Sequence, residues 1–298
     1  MSTVQVPSRR KDGKCVVGMQ IILNADDFGY SRSINTAVIQ AHRQGVLTSA
    51  SLMAAGEAME EAVALARQTP TLAVGLHVVV ASGRAVLPPA QIPHLVDGSG
   101  RFPDNPLHTG LRYAFSRSAK EELARELEAQ FERFAETGLP LSHVDGHLHM
   151  HVHPTVFDLV LPLAVRYGAH GLRLPRDDFW LALGYDRRQA GTKVLWALVF
   201  GLLDRRCLLH LNGHQIAVAD RVYGLMQTGK MHEAYVIDLL HHFRGPTAEI
   251  FFHPSKTRQE EELGPNPDDL ATLLSPAVRR TLAETGVRPA TYSTLNKE

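Results

Sequence analysis

The chain contains 298 residues, of which 44% are hydrophobic and 21% are charged, and this balance excludes a disordered or collagen-like protein. Its length fits one or two domains, because a single α/β barrel often reaches this size. Lysine plus arginine and aspartate plus glutamate both number 31, so no global positive charge attracts nucleic acid, and we expect a small neutral substrate.

The N-terminal residues 1–18 are polar and basic, and they lack the apolar centre of a secretory signal. We expect them to form a disordered extension, followed by a single domain over residues 19–298. Cys15 and Cys207 lie far apart in the sequence and form no CxxC pair, which argues against disulfides and against a cysteine-based zinc site. A cytoplasmic protein is therefore expected.

Strand-like and helix-like segments alternate along the first half of the chain, as in proteins with parallel sheets. Residues 81–118 interrupt the alternation with prolines and glycines, and they predict a long loop that forms part of a substrate wall. The predicted elements of this half are strands over residues 20–25, 47–54 and 72–80 and helices over residues 33–44, 58–68 and 119–136.

The alternation continues less regularly in the second half. The predicted elements are strands over residues 142–145, 171–174, 248–252 and 290–293 and helices over residues 155–167, 190–203, 232–243 and 268–284. About seven βα units without an internal repeat favour a (β/α) barrel-like α/β fold, either closed or incomplete. An open doubly wound sheet would produce much the same alternation.

Two adjacent carboxylates follow the first predicted strand, in the sequence NADDFG at 24–29. A lone aspartate at this position often caps a helix or closes a turn. Asp26 and Asp27 lie side by side, however, and like charges repel unless a cation or a proton mediates between them. This pair therefore favours a bound metal, with one carboxylate as ligand and the other as base.

Histidines lie within or directly after three later strands. His77, in GLH at 75–77, is by itself more typical of a buried core residue than of a ligand. His253, followed by Pro254, lies at the exit of a buried strand and would face the same rim of a barrel as the other motifs.

The richest histidine segment is HVDGHLHMHVHP, which begins at residue 143 and also contains Asp145. In an extended segment, alternation with period two places its last four histidines on one face, so several can converge on one point. A catalytic metal site needs only about three protein ligands, so the others have different roles. The histidines of this segment are His143, His147, His149, His151 and His153.

Motifs of several other enzyme classes are missing from the sequence. It contains no GxSxG elbow, no GxxxxGK[ST] phosphate loop and no GxGxxG after the first strand. The zinc-protease motif HExxH fails as well, because Val236 occupies the position of its second histidine. A serine hydrolase, a phosphate-loop enzyme and a dinucleotide-binding protein are therefore not indicated.

The combined motifs resemble those of the YdjC-like (ChbG-type) carbohydrate deacetylases. The resemblance extends over residues 19–295 and implies a barrel-like α/β fold, one divalent cation, either Mg²⁺ or Zn²⁺, and hydrolysis of the N-acetyl group of chitooligosaccharide-type sugars. It rests on NADDFG, TSAS at 48–51, GLH, HVDGHLHMH at 143–151 and the His253–Pro254 pair.

The resemblance also implies roles for individual residues. Asp27, His77 and His147 match the metal-binding residues of the family, and Asp26 matches its catalytic aspartate. Chemistry adds His253 as the acid that protonates the departing sugar amine. The residues expected to orient the metal ligands or to contact substrate are Asp145, His149, His151 and Arg173.

Within the family, ADRVYGLMQTGKM at 219–231 is similar to the hopanoid-associated branch called HpnK. This implies an N-acetylglucosaminyl hopanoid as substrate and an enzyme peripheral to the inner membrane. The aliphatic stretch 194–203 is shorter than the roughly 20 residues that cross a bilayer, and we assign Trp196 and Phe200 in it to lipid contact. A buried helix is the competing interpretation of this stretch. The sequence does not decide between a monomer and a homodimer.

Two other functions fit part of the sequence. An amidohydrolase-type deaminase or amidase also places histidines at strand ends, but it typically carries an HxH pair on the first strand, where this chain has NADDFG. A non-catalytic metal-binding protein would use the histidines but not Asp26.

Overall fold

The computed structural model describes residues 18–186, 190–242, 245–257 and 264–295. The predicted extension, apart from Gly18, and the predicted helix end at Phe243 lie outside these residues. The strands of the described part are β1 (Gln20–Phe28), β2 (Ser49–Leu52), β3 (Ala73–Val78), β4 (His143–Gly146), β5 (Gly171–Leu172), β6 (Arg221–Tyr223), β7 (Thr247–Phe252) and β8 (Arg288–Ala290).

Helices connect these strands and cover the sheet. Short 3₁₀ segments occur at His147–Val152 and Leu225–Gln227. The α-helices of the described part are α1 (Arg32–Gln44), α2 (Met59–Arg67), α3 (Pro106–Phe115), α4 (Arg117–Glu136), α5 (Pro154–Arg166), α6 (Phe179–Tyr185), α7 (Ala190–Leu211), α8 (Glu233–His242), α9 (Pro267–Leu274) and α10 (Pro276–Thr285).

The strands form one parallel sheet in the order β5-β4-β3-β2-β1-β7-β6, and β8 pairs with the beginning of β1. A parallel bridge between Gly171 and Ala217 links β5 to the segment that precedes β6. The sheet is therefore curled towards closure with one weakly paired junction. This confirms the prediction of an incomplete, barrel-like α/β fold.

Strand β1 lies inside the sheet and is buried along its whole length. Helix α1 follows directly, because the Ser31 side chain accepts a hydrogen bond from the backbone N–H of Ile34 and so caps the first turn. Its apolar face, which includes Ile34 and Val38, packs into the main hydrophobic core. The buried aspartates at the end of β1 are thus anchored beside the main hydrophobic core.

In three segments the local sequence explains why the structure differs from the sequence prediction. Helix α3 lies within the predicted loop 81–118, because Asn105 caps it and Pro106 suits its first position. The helix predicted over 268–284 is divided into α9 and α10, since Ser275 and Pro276 begin a new helix. Helix α7 continues past residue 203, where the sequence contains no glycine or proline to end it.

Helix α7 is apolar on nearly every side, yet most of its large apolar residues face solvent. Its buried positions instead include two charged residues, Lys193 and Asp204. Because most of its large apolar side chains are exposed, the helix is not wholly inside the core. Among the helices of the described residues, none is both long and apolar enough to cross a membrane. The exposed apolar residues of α7 are Val194, Leu195, Trp196, Leu198, Val199, Leu202 and Leu209.

Candidate active site

The carboxyl ends of β1, β3, β4 and β7 meet at one edge of the barrel, where most of the predicted site residues lie. Parallel strands bring residues from distant parts of the chain together in this way. A pocket of about 380 Å³ opens at this edge. Its lining includes Asp26, Asp27, His77, His147, His149, Trp196 and His253.

The two adjacent aspartates both line the pocket because β1 is irregular at its end. In a regular strand, neighbouring side chains point to opposite faces of the sheet. The pairing of β1 with β2 shifts register between Ala25 and Phe28, and Asp27 has a φ of 62°. This bulge turns the chain so that both carboxylates reach one pocket, and such distortions of strands are common beside active sites.

Asp27, His77 and His147 form a group that could hold a metal ion. The Oδ1 atom of Asp27 lies 3.4 Å from Nε2 of His77 and 3.3 Å from Nδ1 of His147. This oxygen is buried and, among the described residues, has no hydrogen-bond partner. An unpaired buried carboxylate oxygen facing two imidazole nitrogens fits a divalent cation. Two imidazoles favour zinc, whereas carboxylate and water ligands would suit magnesium.

The surrounding charges favour the ionised states of Asp27 and His77. Burial disfavours the carboxylate of Asp27, but the imidazoles of His147, His77 and His253 outweigh burial and hold its pKa below the ordinary range. Burial likewise disfavours the imidazolium of His77, but Asp145, Asp26 and Asp27 raise its pKa to about 9. A cation and a proton would therefore compete for His77.

Asp145 fixes the orientation of the His77 ring. The Nδ1 atom of His77 donates to Oδ1 of Asp145 at 2.8 Å, which directs Nε2 towards Asp27. Asp145 also accepts a hydrogen bond from Ser51 at 2.7 Å. Buried carboxylates commonly hold metal-binding histidines in this way. The geometry is thus consistent with the role predicted for Asp145.

Arg173 holds Asp26 from the interior of the barrel. Its Nη1 and Nη2 atoms donate to the two carboxylate oxygens of Asp26 at 2.7 and 2.8 Å. Nη2 also donates to Glu249 at 2.7 Å, and the hydroxyl of Tyr292 donates to the other oxygen of Glu249 at 2.5 Å. The bidentate contact fixes the plane of the Asp26 carboxylate in the pocket.

Sequence reasoning missed Glu249 and Tyr292. Glu249 could have been noticed as a carboxylate inside the buried strand AEIFF. Tyr292 carries no sequence signal, because it reaches the network only through the pairing of β8 with β1. The structure also explains the glycine of the GLH motif. A side chain at Gly75 would collide with the ring of His143, so the glycine makes room for that histidine.

The expectation that the last four histidines of the 143–154 segment share one face is wrong. The segment is not extended: it forms a 3₁₀ turn in which Leu148 and His149 have left-handed φ values of 53° and 54°. The turn sends the side chains in different directions. Of the four histidines, only His147 joins Asp27 and His77 in a group that could hold a metal.

His149 and His151 of this segment are buried and lie outside that group. Nε2 of His151 donates to the carbonyl oxygen of Arg173 at 2.9 Å, and burial lowers the pKa of His151 to about 4. His149 lies among Phe200, Phe251 and the other rings of the pocket wall, and burial lowers its pKa well below the ordinary value. Both imidazoles are therefore neutral near pH 7.

His253 lies near Asp26, on the side of the same carboxylate oxygen that Arg173 Nη1 contacts. Its Nε2 atom is 3.9 Å from Oδ2 of Asp26, too long for a direct hydrogen bond. The backbone N–H of His253 donates to Asp269 at 2.8 Å, which anchors the residue at the end of β7. The side chain lines the pocket, so it can reach a bound substrate.

The two aromatic residues assigned to lipid contact have different environments. The Trp196 side chain is 43% exposed and lines the pocket. Phe200 is only 8% exposed and stacks beneath Trp196, with ring centroids 5.4 Å apart. The assignment of Phe200 to direct lipid contact is therefore wrong, because its ring is covered by Trp196 and packs against His149.

Fold and site together define an α/β-barrel protein with a histidine–carboxylate centre at the carboxyl ends of its strands. The chain belongs to the YdjC-like family, because the model of that family, described as YdjC-like protein, matches residues 20–284.

Several proteins that match part of this chain are named as deacetylases. A carbohydrate deacetylase of Brevibacillus brevis is 46% identical over 163 residues, which cover 55% of this chain and 60% of that protein. A chitooligosaccharide deacetylase of Enterobacter sp. is 38% identical over 198 residues, covering 62% and 74%. The match to a carbohydrate deacetylase of Geobacillus stearothermophilus covers 56% of its length. The chain thus matches little more than half the length of several of these relatives.

A solved structure supports the fold. The putative cellobiose-phosphate cleavage protein of Enterococcus faecalis superposes with a TM-score of 0.72 at 23% identity, over 94% of this chain and 100% of that one. At this identity the likeness concerns the architecture, which agrees with the incomplete barrel described above.

Proposed function

We propose that this protein is a metal-dependent hydrolase that removes the acetyl group from an N-acetylated amino sugar. The observation that carries the proposal is the unpaired, buried oxygen of Asp27 facing His77 and His147, beside a second carboxylate that does not belong to that group. The substrate class, an acetylated carbohydrate, is taken from the activities for which the deacetylase relatives are named.

An amide is a poor electrophile, and water is a weak nucleophile at neutral pH. A divalent cation held by Asp27, His77 and His147 would polarise the acetyl carbonyl and acidify water. Asp26 accepts the proton of the attacking water, while Arg173 holds its carboxylate in place. His253 faces the same pocket and donates a proton to the departing sugar amine. Asp145 keeps His77 oriented throughout.

Product analysis tests this proposal. Purified protein should release acetate from N,N′-diacetylchitobiose, should lose this activity after treatment with a chelator, and should regain it when Mg²⁺ or Zn²⁺ is added back. Release of ammonia instead would favour the deaminase alternative. Metal binding without either product would favour the non-catalytic metal-binding alternative.

We further propose that the natural substrate carries a lipid, as in an N-acetylglucosaminyl hopanoid. Two observations support this: the similarity of residues 219–231 to the HpnK branch, and the exposed apolar face of α7, which continues into the pocket at Trp196. The lipid part would lie on this face, where burying apolar surface contributes roughly 25 cal/mol per Å². With such a substrate, we expect the enzyme to act at a membrane surface.

Replacing Leu195, Leu198 and Leu202 with glutamine tests the lipid proposal, because these side chains are 60–72% exposed. The triple variant should act more slowly on N-acetylglucosaminyl lipid in vesicles, retain its rate on N,N′-diacetylchitobiose, and keep its melting temperature. Phe200→Ser provides the contrast, since a core change should lower the melting temperature. Equal losses of the triple variant on both substrates would contradict the proposal.

A further inference from the structure

Gln227 contributes a buried side-chain amide to the wall of the pocket. The residue is only 4% exposed and lines the same cavity as Asp26 and His253. Its Nε2 atom is buried and has no hydrogen-bond partner among the residues that the structure describes. Buried polar groups are nearly always paired, so an orphaned amide at a ligand pocket points to a partner on the ligand.

The turn that carries Gln227 is fixed by its own hydrogen bonds. Its backbone carbonyl accepts from the N–H of Lys230 at 2.9 Å, and the backbone N–H of Met226 donates to Asp177 at 3.0 Å. Gly224, with a φ of 129°, lets the turn approach Phe251 so closely that a side chain there would collide with the ring. The backbone that carries the amide is therefore held in place before substrate binds.

Two other polar side chains of the pocket lining, those of Thr228 and Lys193, already have partners. The Thr228 hydroxyl donates to the carbonyl oxygen of Gly224 at 2.8 Å, and Nζ of Lys193 donates to the carbonyl oxygen of Asp186 at 2.7 Å. The Gln227 amide thus differs from these neighbours in having its donor unused. A side-chain amide can also accept a hydrogen bond, which suits a hydroxyl group that both donates and accepts.

We propose that Gln227 determines sugar specificity by donating a hydrogen bond to a hydroxyl group of the bound amino sugar. This inference rests on the proposed function and adds a recognition residue outside the metal group and the proton-transfer residues. A site built to pair a substrate hydroxyl discriminates against analogues that lack it, because its own polar group is then left unpaired.

The test compares Gln227→Met, which keeps the length of the side chain but removes its amide, with the parent protein. Acetate release is measured on N,N′-diacetylchitobiose and on its 3-deoxy and 6-deoxy analogues. Gln227→Met should lower kcat/KM about tenfold on the parent sugar, mainly through KM. It should cause no further loss on the one analogue that lacks the paired hydroxyl. Gln68→Met, on the surface and outside the pocket, is the matched control.

Equal losses on the parent sugar and on both analogues would overturn the proposal, since a purely structural role would affect every substrate alike. Binding of N,N′-diacetylchitobiose to Asp26→Asn, measured by calorimetry, separates this outcome from failure of the deacetylase proposal. Adding Gln227→Met to that background should raise Kd about tenfold whether or not the parent releases acetate. An unchanged Kd would overturn the role of Gln227.

Discussion

Asp26 and Asp27 are neighbours in the sequence but have different surroundings in the structure. Asp27 faces His77 and His147, whereas Asp26 is held by the guanidinium of Arg173. Both carboxylates reach the pocket because the left-handed backbone of Asp27 redirects its side chain, and there they meet different partners. The two aspartates can therefore take different roles: Asp27 is placed to bind a cation, and Asp26 is placed to accept a proton.

Asp26→Asn tests the division of roles. Asparagine is nearly the same size but cannot take a proton from water, so turnover should fall by about 10²–10⁴-fold while the metal content is retained. Acetate release and elemental analysis of the purified variant measure the two effects. A variant within a few-fold of the parent would remove Asp26 from the base role.

Replacement of the histidines tests the metal group. His77→Ala and His147→Ala should each reduce the metal content of the purified protein, because three protein ligands leave little redundancy. His153→Ala is the control, since this residue is not part of the group. Full metal occupancy in His147→Ala, determined by elemental analysis, would transfer the ligand role to His149 or His151.

At the scale of single elements, α7 is unusual because its surface face is apolar while its buried face contains Lys193 and Asp204. Burial raises the pKa of Asp204 to about 7, with the charge of Arg176 opposing it only in part. One carboxylate oxygen of Asp204 is buried and has no hydrogen-bond partner among the described residues. The helix therefore carries a destabilising group in its packed face.

Asp204→Asn should remove this destabilising group, so the variant should be more stable than the parent, and the difference should grow with pH. Between about pH 4 and 7 the folded protein keeps a proton that the unfolded chain has lost, so the contribution of Asp204 falls as pH rises through 7. The free energy of unfolding of the variant, relative to the parent, should increase by about 2–3 kcal/mol between pH 5 and 8.

Urea denaturation at both pH values measures this difference. Asp104→Asn, a change at an exposed position, is the control and should show no comparable trend. If the parent and Asp204→Asn change in parallel with pH, Asp204 is not the buried, protonated group described here.

At the scale of the whole molecule, Arg173 connects strands that are distant in the sequence. Its guanidinium contacts Asp26 of β1, Asp145 of β4 and Glu249 of β7. All four side chains are at most 3% exposed. The interior of the barrel at this level is therefore a charged network rather than an apolar layer, and its stability depends on complete pairing.

Arg173→Met should lower the free energy of unfolding by about 3–5 kcal/mol, because it leaves buried carboxylates without their cation. Arg173→Lys should restore little, since an ammonium group cannot make the bidentate contact. Arg206, whose pair with Asp158 is partly exposed, supplies the control: Arg206→Met should cost about 1 kcal/mol or less. Denaturant titrations of the three variants measure these differences. Equal effects of Arg173→Met and Arg206→Met would contradict the structural role of the network.

Much of the fold could be predicted from the sequence, because burial leaves a periodic pattern along each element. The alternation of strands and helices, the barrel-like architecture and the position of NADDFG at a strand end all follow from such patterns. The prediction was weakest where a short capped helix, α3, lies among prolines and where β6 is only three residues long. These elements are too short for periodicity to show.

The residue types of the candidate site were also evident from the sequence, since paired carboxylates and clustered histidines are rare without a chemical reason. Only the tertiary structure decided which histidine of the 143–154 segment joins Asp27, that Glu249 and Tyr292 complete the Arg173 network, and that Phe200 is buried beneath Trp196. The physical reason is that periodicity records which face of an element is buried, whereas the direction of a side chain after a bulge or turn depends on a few backbone dihedral angles and on contacts with strands far away in the sequence.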